Sequence, residues 1–158
     1  MEWASQDPSN CAIGHTIGLV GDKWALLILR ELVFGVDRFD AVQSHLGISR
    51  RTLAERLDAL VSHGLVEREP IHVAGQRSRH RYALTRAGLE LIPVIVALRE
   101  WGDRHRPDAS PPPVVLLHDE CGGSVSLQFR CEHGHDITPP QDIRLARGPG
   151  AVALVADG

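Results

Sequence analysis

The sequence predicts a mainly α fold with a small β component (α+β), followed by a small C-terminal β-rich appendage. Three observations predict it. Residues 11–64 break into short segments of helical apolar spacing, each bracketed by residues suited to start or stop a helix. Over residues 65–84 the pattern shifts to two strand-like runs around a polar loop. Beyond Pro107 prolines cluster, the charge turns acidic, and only short β-like runs remain. The length of 158 residues suits one ordinary domain, or a small domain with an appendage, and is too short for a multidomain enzyme. With 43% apolar and 23% charged residues, the chain has enough material for a packed core.

Taken in order, Ile13, Ile17 and Val20 fall on one face of a first helix, which Gly21 is expected to stop in a left-handed conformation. Asp22 is suited to cap a second helix with the apolar face Trp24, Leu27, Ile28 and Leu32, closed by Gly35. Asp37 is expected to cap a third, short helix from Arg38 to about His45. Leu46-Gly47-Ile48 reads as a tight turn. Ser49 then caps a fourth helix that turns Leu53, Leu57, Leu60 and Val61 inward and stops at Gly64. Leu65 to Ile71 and Arg79 to Leu84 read as strands.

Thr85 is expected to cap a long helix running to about Arg104, with Leu91 to Leu98 apolar on every side. A helix apolar all round is buried all round. A domain this small covers only one side of it, so a second copy of the chain is expected on the other. Pro93 should kink this helix, because it removes a backbone donor and crowds the preceding turn. Pro111-Pro112-Pro113 make a stiff linker. Val114 to His118, Val125 to Cys131, Ile143 to Arg147 and Ala151 to Val155 follow as β-like runs, with a turn at Gly148-Pro149-Gly150.

Composition narrows the function classes. The longest apolar run, Leu91 to Leu98, contains Pro93 and is too short for a bilayer, so no membrane partner is expected. Met1 to Asn10 lack the basic start and apolar stretch of an export signal, and the cysteines number three. A cytoplasmic, reducing location is therefore expected. The net charge of −3 hides an asymmetry: residues 1–106 carry 14 basic and 13 acidic side chains, residues 107–158 carry 3 and 7. Between Ser49 and Arg86 eight arginines face four acids, a local patch suited to a polyanion.

The third and fourth helices with their glycine turn make a helix-turn-helix, and the strand pair makes its wing. The domain plan is thus 1–106 for DNA binding and dimerisation (helix-turn-helix about 38–63, wing about 65–84, dimer helix about 86–104), 107–113 for the linker and 114–158 for the tail. The fourth helix leaves Arg50, Arg51, Thr52, Glu55 and Arg56 at its N-terminal, outward end, where the macrodipole and free N–H groups favour phosphate. Arginine there can bridge guanine O6 and N7, while Ser49 and Thr52 can bond phosphate. In the wing, Arg77, Arg79 and Arg81 alternate and would share one strand face along a DNA backbone.

An ordered series of motifs runs along the chain: Cys11-Ala12-Ile13, Leu19-Val20-Gly21-Asp22-Lys23-Trp24, Leu27-Ile28-Leu29-Arg30-Glu31-Leu32 and Arg38-Phe39. It continues through Ile48-Ser49-Arg50-Arg51-Thr52-Leu53, Arg56-Leu57, Gly64-Leu65-Val66-Glu67-Arg68, Tyr82-Ala83-Leu84-Thr85 and Trp101-Gly102. In this series the chain resembles the HxlR family of bacterial transcriptional regulators. The resemblance covers roughly Cys11 to His105, with Ala12 where the family commonly has proline and a slightly short helix-turn-helix turn. It implies a winged helix-turn-helix homodimer, joined through its N-terminal and long C-terminal helices, on a two-fold symmetric double-stranded DNA operator. Some relatives sense oxidants, quinones or aldehydes through a cysteine at the position of Cys11.

Cys11 would lie in the first turn of the first helix, where the dipole favours thiolate; it is either such a sensor or a half-buried packing cysteine. In the tail, His118 and Cys121, then Cys131, His133 and His135, bring zinc-type ligands into a short span. They form either a zinc clamp or a metal-free remnant of a ribbon, and Cys121 with Cys131 could form a disulfide only under oxidising conditions. No cofactor is otherwise required, and no nucleophile–base set or phosphate-cradling loop marks an enzyme. The sequence thus reads as a dimeric DNA-binding regulator, expected to be a repressor. The rival is a dimeric adaptor that keeps the fold without reading DNA and would have no use for the wing arginines.

Overall fold

A computed structural model describes residues 4, 6–71, 79–107, 111–138 and 142–153. Its element order is α1 (Ala12–Val20), α2 (Lys23–Val33), α3 (Phe39–Leu46), α4 (Arg50–Ser62), β1 (Val66–Ile71), β2 (Arg79–Leu84), α5 (Arg86–Leu89), α6 (Ile92–His105), β3 (Phe129–Arg130) and β4 (Asp136–Ile137). No single helix among the described residues is long and apolar enough to cross a membrane. The chain divides into two units, residues 16–95 and residues 1–15 with 96–158.

In the unit 16–95, local chemistry sets most helix ends. The Asp22 carboxylate accepts from the N–H groups of Trp24 (2.9 Å) and Ala25 (3.4 Å), and Ser49 Oγ accepts from Thr52 N (3.1 Å). Both α2 and α4 end in a Schellman motif around a left-handed glycine. At α2, Gly35 (φ 79°) donates to Leu32 O and Val36 to Glu31 O; at α4, Gly64 (φ 69°) donates to Val61 O and Leu65 to Leu60 O.

Two expected ends are made differently. Gly21 is not left-handed: a Cβ there would stand 2.5 Å from Ile17 O, so close backbone approach is what requires glycine. Asp37 does not cap α3. Arg38 occupies the N-cap position without a side-chain cap, since it forms an isolated bridge to Arg81 of β2 and Tyr82 N donates to Asp37 O (2.8 Å). The helix begins one residue late because residues 37 and 38 are tied to β2 in extended form.

β1 and β2 pair antiparallel with Val66 opposite Leu84 and Ile71 opposite Arg79. The core beneath them joins Val20, Ala25, Ile28, Leu29, Leu32, Val42, Ile48, Leu53, Leu57, Leu60, Leu65, Val66 and Tyr82. Because α2 packs against α3, α4 and β2, it buries Ala25 and Leu29 as well as Ile28 and Leu32, and leaves Trp24 and Leu27 half-buried. Glu31 is buried too, accepting from Arg30 Nε (3.1 Å) and facing His45 Nδ1 (2.5 Å) on α3.

The expected long helix is two. Thr85 caps only α5: its Oγ1 accepts from Gly88 N (3.2 Å) and donates to Gly64 O (2.6 Å). Pro93 does not kink a continuous helix. The chain breaks at Glu90 and Leu91, and Pro93 sits second in α6, where its missing N–H has no intrahelical partner to lose. Leu91 and Ile95 pack against the core while Val94 is exposed, as are Leu98 and Trp101 further along α6.

In the other unit, the last turns of α6 hold the tail by polar contacts. Arg99 Nη1 donates to Val114 O (2.9 Å) and Leu127 N donates to Glu100 Oε1 (3.0 Å). The unit boundary therefore falls inside α6, whereas the sequence suggests a change at 107–113. Asp7 N donates to Val152 O (2.8 Å), and Asn10 Nδ2 to Gly150 O (3.1 Å). Strand pairing in the tail is sparser than its composition suggests: β3 with β4, a Leu117–Ser124 bridge and a Gln6–Ala153 bridge, with none over 143–147. The exposed state of Leu117, Phe129, Ile143 and Leu145 shows why, since no apolar layer lies beneath them to fix a register.

Gly88 is the most tightly seated of the described glycines, because an added Cβ would meet Leu65 O at 2.1 Å. Gly88→Ala should therefore destabilise by about 1–3 kcal/mol in urea unfolding. Gly102→Ala in α6, where a Cβ meets nothing within 4 Å, should be neutral or stabilise by up to about 1 kcal/mol. Equal midpoints for the two variants would contradict this packing.

Candidate nucleic-acid interface

α4 carries its leucines on one face, and their burial fixes what the opposite face can offer. Leu53, Leu57 and Leu60 are fully buried, each contributing about 1.5–3 kcal/mol by leaving water. Arg50 and Arg51 consequently stand exposed at the first turn, beside the Ser49 cap. Ser49 Oγ and Thr52 Oγ1 lie 2.8 Å apart, so the cap hydroxyl is held by both the Thr52 amide and its side chain.

Each arginine has a different tie. Arg50 Nη1 reaches Asp40 Oδ1 (3.3 Å), and its guanidinium lies over the Phe39 ring, 4.8 Å from the centroid. Arg51 Nε bonds Glu55 Oε1 one turn on (2.8 Å), which raises its already high pKa. These pairs are in water and stabilise by only about 0–1 kcal/mol, so a phosphate or base edge can replace the carboxylate at little cost. Arg56 is different. Its Nε lies 3.1 Å from Asp22 Oδ1, the same oxygen that caps α2, as an ion pair without hydrogen-bond alignment, so it faces the start of α2 instead of standing outward with its neighbours.

In the wing, Arg81 Nε bonds Glu69 Oε2 across the ladder (2.6 Å), which raises the arginine pKa, and Arg68 pairs with Asp58. Arg79 pairs with Ile71 in the backbone register. Arg77 and the side chain of Arg79 lie outside the described residues. A cleft of about 460 Å³ opens between the start of α3, the start of α4 and the wing, lined by Arg38, Phe39, Asp40, Arg50, His80 and Tyr82 among others. Arg38 is exposed there and has no ion-pair partner among the described residues. The sequence reading assigns no role to Arg38 or His80. The signal for Arg38 is its place directly before the first helix of the helix-turn-helix; His80 has only strand alternation to mark it.

The remaining singled-out residues lie in the other unit. Cys11 is not inside the first turn of α1 but directly before it, as the cap: Sγ accepts from Gly14 N (3.4 Å) and its carbonyl from His15 N (2.9 Å). A short turn, Pro8–Asn10, capped by Asp7, fills the residues before it. In the tail, His118 Nδ1 lies 3.3 Å from Cys121 Sγ, and Cys131 Sγ lies 3.5 Å from His135 Nδ1. His133 faces Glu132 instead, at 3.7 Å. Among the described residues no three or more such side chains stand close enough to share an ion, so the five come together as two pairs and an outlier.

The order of helices, turn and wing is matched by known proteins. Residues 19–110 match the family model for HxlR-like helix-turn-helix domains. An uncharacterised helix-turn-helix-type transcriptional regulator of Mycobacterium tuberculosis (strain H37Rv) is 42% identical over 146 residues, 92% of this chain and 90% of that one. Among solved structures, PA1607, described as a candidate transcription factor, has a TM-score of 0.75 at 34% identity, covering 89% of this chain and 96% of that one. The redox regulator HypR in its reduced form has a TM-score of 0.55 at 28% identity, covering 61% and 95%. With α4 capped by Ser49, its two-stranded wing and this match over more than half its length, the chain belongs to the HxlR family of helix-turn-helix transcriptional regulators.

Proposed function

We propose that the protein acts in the cytoplasm as a homodimer that reads a two-fold symmetric DNA operator and represses transcription there. The observation that carries this reading is the pair Arg50 and Arg51, exposed at the N-terminal end of a helix whose other face is locked in the core. Free N–H groups and the positive helix end suit a phosphate, while the two guanidinium groups suit guanine edges in the major groove. Ser49, Thr52 and Glu55 complete this face, and Arg77, Arg79 and Arg81 follow the DNA backbone from the wing. Arg38 joins them as a phosphate contact from the cleft, and Arg56 acts indirectly by holding α4 in place. An adaptor would have no use for so many arginines around one helix start.

A second copy is supported by α6. Val94, Leu98 and Trp101 repeat at i, i+4 and i+7 and are exposed, Trp101 by 62%. α1 exposes Ile13 and Ile17 in the same way. Stripes of this kind in a single chain mark an association face. A dimer seated across a promoter excludes polymerase, which makes repression the simplest outcome.

Thiol control is a further part of this reading. The Cys11 sulfur accepts an N–H at a helix start, and the similar solved structures include HypR as a redox regulator and the transcriptional regulator YodB in reduced and diamide-treated forms.

Arg51→Ala should lose about 1–3 kcal/mol of preference for operator over mismatched DNA, whereas Arg79→Ala should weaken all sequences alike and lower the salt slope by about 1. An unchanged slope for Arg79→Ala in a fluorescence-anisotropy salt titration counts against the wing. The double variant Leu98→Glu/Trp101→Glu should sediment as a monomer with unchanged helix content; retention of the dimer contradicts the α6 face. Diamide should lower operator affinity of the parent chain reversibly and leave Cys11→Ser unaffected. Equal loss in both would remove Cys11 from the response.

A further inference from the structure

The tail holds its shape without a core: no described residue at 111–138 or 142–153 is buried, and its longest strand pairing is two residues. Small segments of this kind ordinarily need a disulfide, a metal or a cover. Two of its turns offer metal ligands in a specific geometry. In the first, His118 N donates to Gly123 O (2.9 Å) and Gly122 N to His118 O (2.8 Å), with Gly122 left-handed at φ 68°. That turn folds His118 Nδ1 to 3.3 Å from Cys121 Sγ. In the second, Cys131 N donates to His135 O (3.0 Å) and Gly134 N to Cys131 O (2.9 Å), with Gly134 left-handed at φ 83°. That turn sets Cys131 Sγ 3.5 Å from His135 Nδ1.

Zinc binds sulfur at about 2.3 Å and imidazole nitrogen at about 2.0–2.1 Å, so two neighbouring ligands of a tetrahedral ion stand about 3.6 Å apart. Both pairs have nearly that separation. Each turn therefore presents half of a tetrahedral set, with one soft and one imidazole ligand.

We propose that His118, Cys121, Cys131 and His135 together hold one structural zinc ion, which closes the two turns on each other. The pairs do not share an ion's reach in this structure, so binding includes their approach. The nine residues between Cys121 and Cys131 start with Gly122 and Gly123, which lets that segment turn back. Two thiolates balance the charge of the ion, and binding releases their protons to solvent. Four protein ligands leave no open position, so the centre staples the tail and does no chemistry. His135 takes the place that Gly134 leaves without a ligand, and His133 stays outside the set.

The full-length protein, purified without chelator and supplied with equimolar zinc, tests this by elemental mass spectrometry. About one zinc per chain is expected, falling to none in Cys121→Ser and in Cys131→Ser and unchanged in Cys11→Ser. Cobalt(II) in its place should give the intense visible bands of a tetrahedral thiolate site, lost in both tail variants. Chelation should also hasten trypsin cleavage after the exposed Arg144 and Arg147 without altering the melting of the unit 16–95. Absence of bound metal overturns the proposal and leaves each pair a simple S–H···N hydrogen bond. Zinc retained by the double variant Cys121→Ser/Cys131→Ser, or one ion per two chains, overturns the ligand set.

Discussion

The burial of Leu53, Leu57 and Leu60 against α2 is the constraint on which the rest of the interface depends. Three leucines at helical spacing fix the rotation of α4 about its axis. Once that rotation is set, Arg50 and Arg51 have no direction left but outward, and Ser49 can spend its hydroxyl on the helix end. The Arg56–Asp22 pair reinforces the same placement, since the carboxylate that starts α2 also holds α4. Specific recognition needs rigid presentation of a few side chains, and the apolar face of α4 supplies such rigidity to Arg50 and Arg51.

Much of this was legible in the sequence because it depends on local chemistry. Asp22, Ser49 and Thr85 act as caps, and Gly35, Gly47 and Gly64 adopt left-handed conformations, where their positions suggest. The alternation over 65–71 and 79–84 became an antiparallel pair with almost the expected bounds. What sequence patterns could not supply was set by tertiary competition. Arg38 reads as helix but is held extended by its bridge to Arg81 of β2. Glu31 lies outside the expected apolar face of α2 but is enclosed between Arg30 and His45, because α2 has neighbours on more than one side. Pro93 reads as a kink, yet α5 ends at Leu89 before the proline is reached, and Pro93 falls in the first turn of α6.

The placement of the candidate residues divides the same way. The exposure of Arg50 and Arg51 at the start of α4 was legible from the helix pattern. The distinct role of Arg56 was not, since only the fold brings it to Asp22. The cleft with Arg38 and His80 joins segments separated by forty residues, and no local rule marks it. In the tail, β-prone composition overstated regular structure, because strands need an apolar layer to define which face turns inward. His118 stands beside Cys121 and Cys131 beside His135, while His133 faces Glu132, a placement that spacing alone did not fix.

Hydroxyl-radical footprinting of the full-length protein on the promoter region of its own gene is the most direct test of the central claim. Two protected half-sites related by a dyad are predicted, their centres about 34–36 Å apart, one turn of the duplex. A single protected patch without symmetry, or no protection at salt low enough for any basic surface to bind, would contradict it.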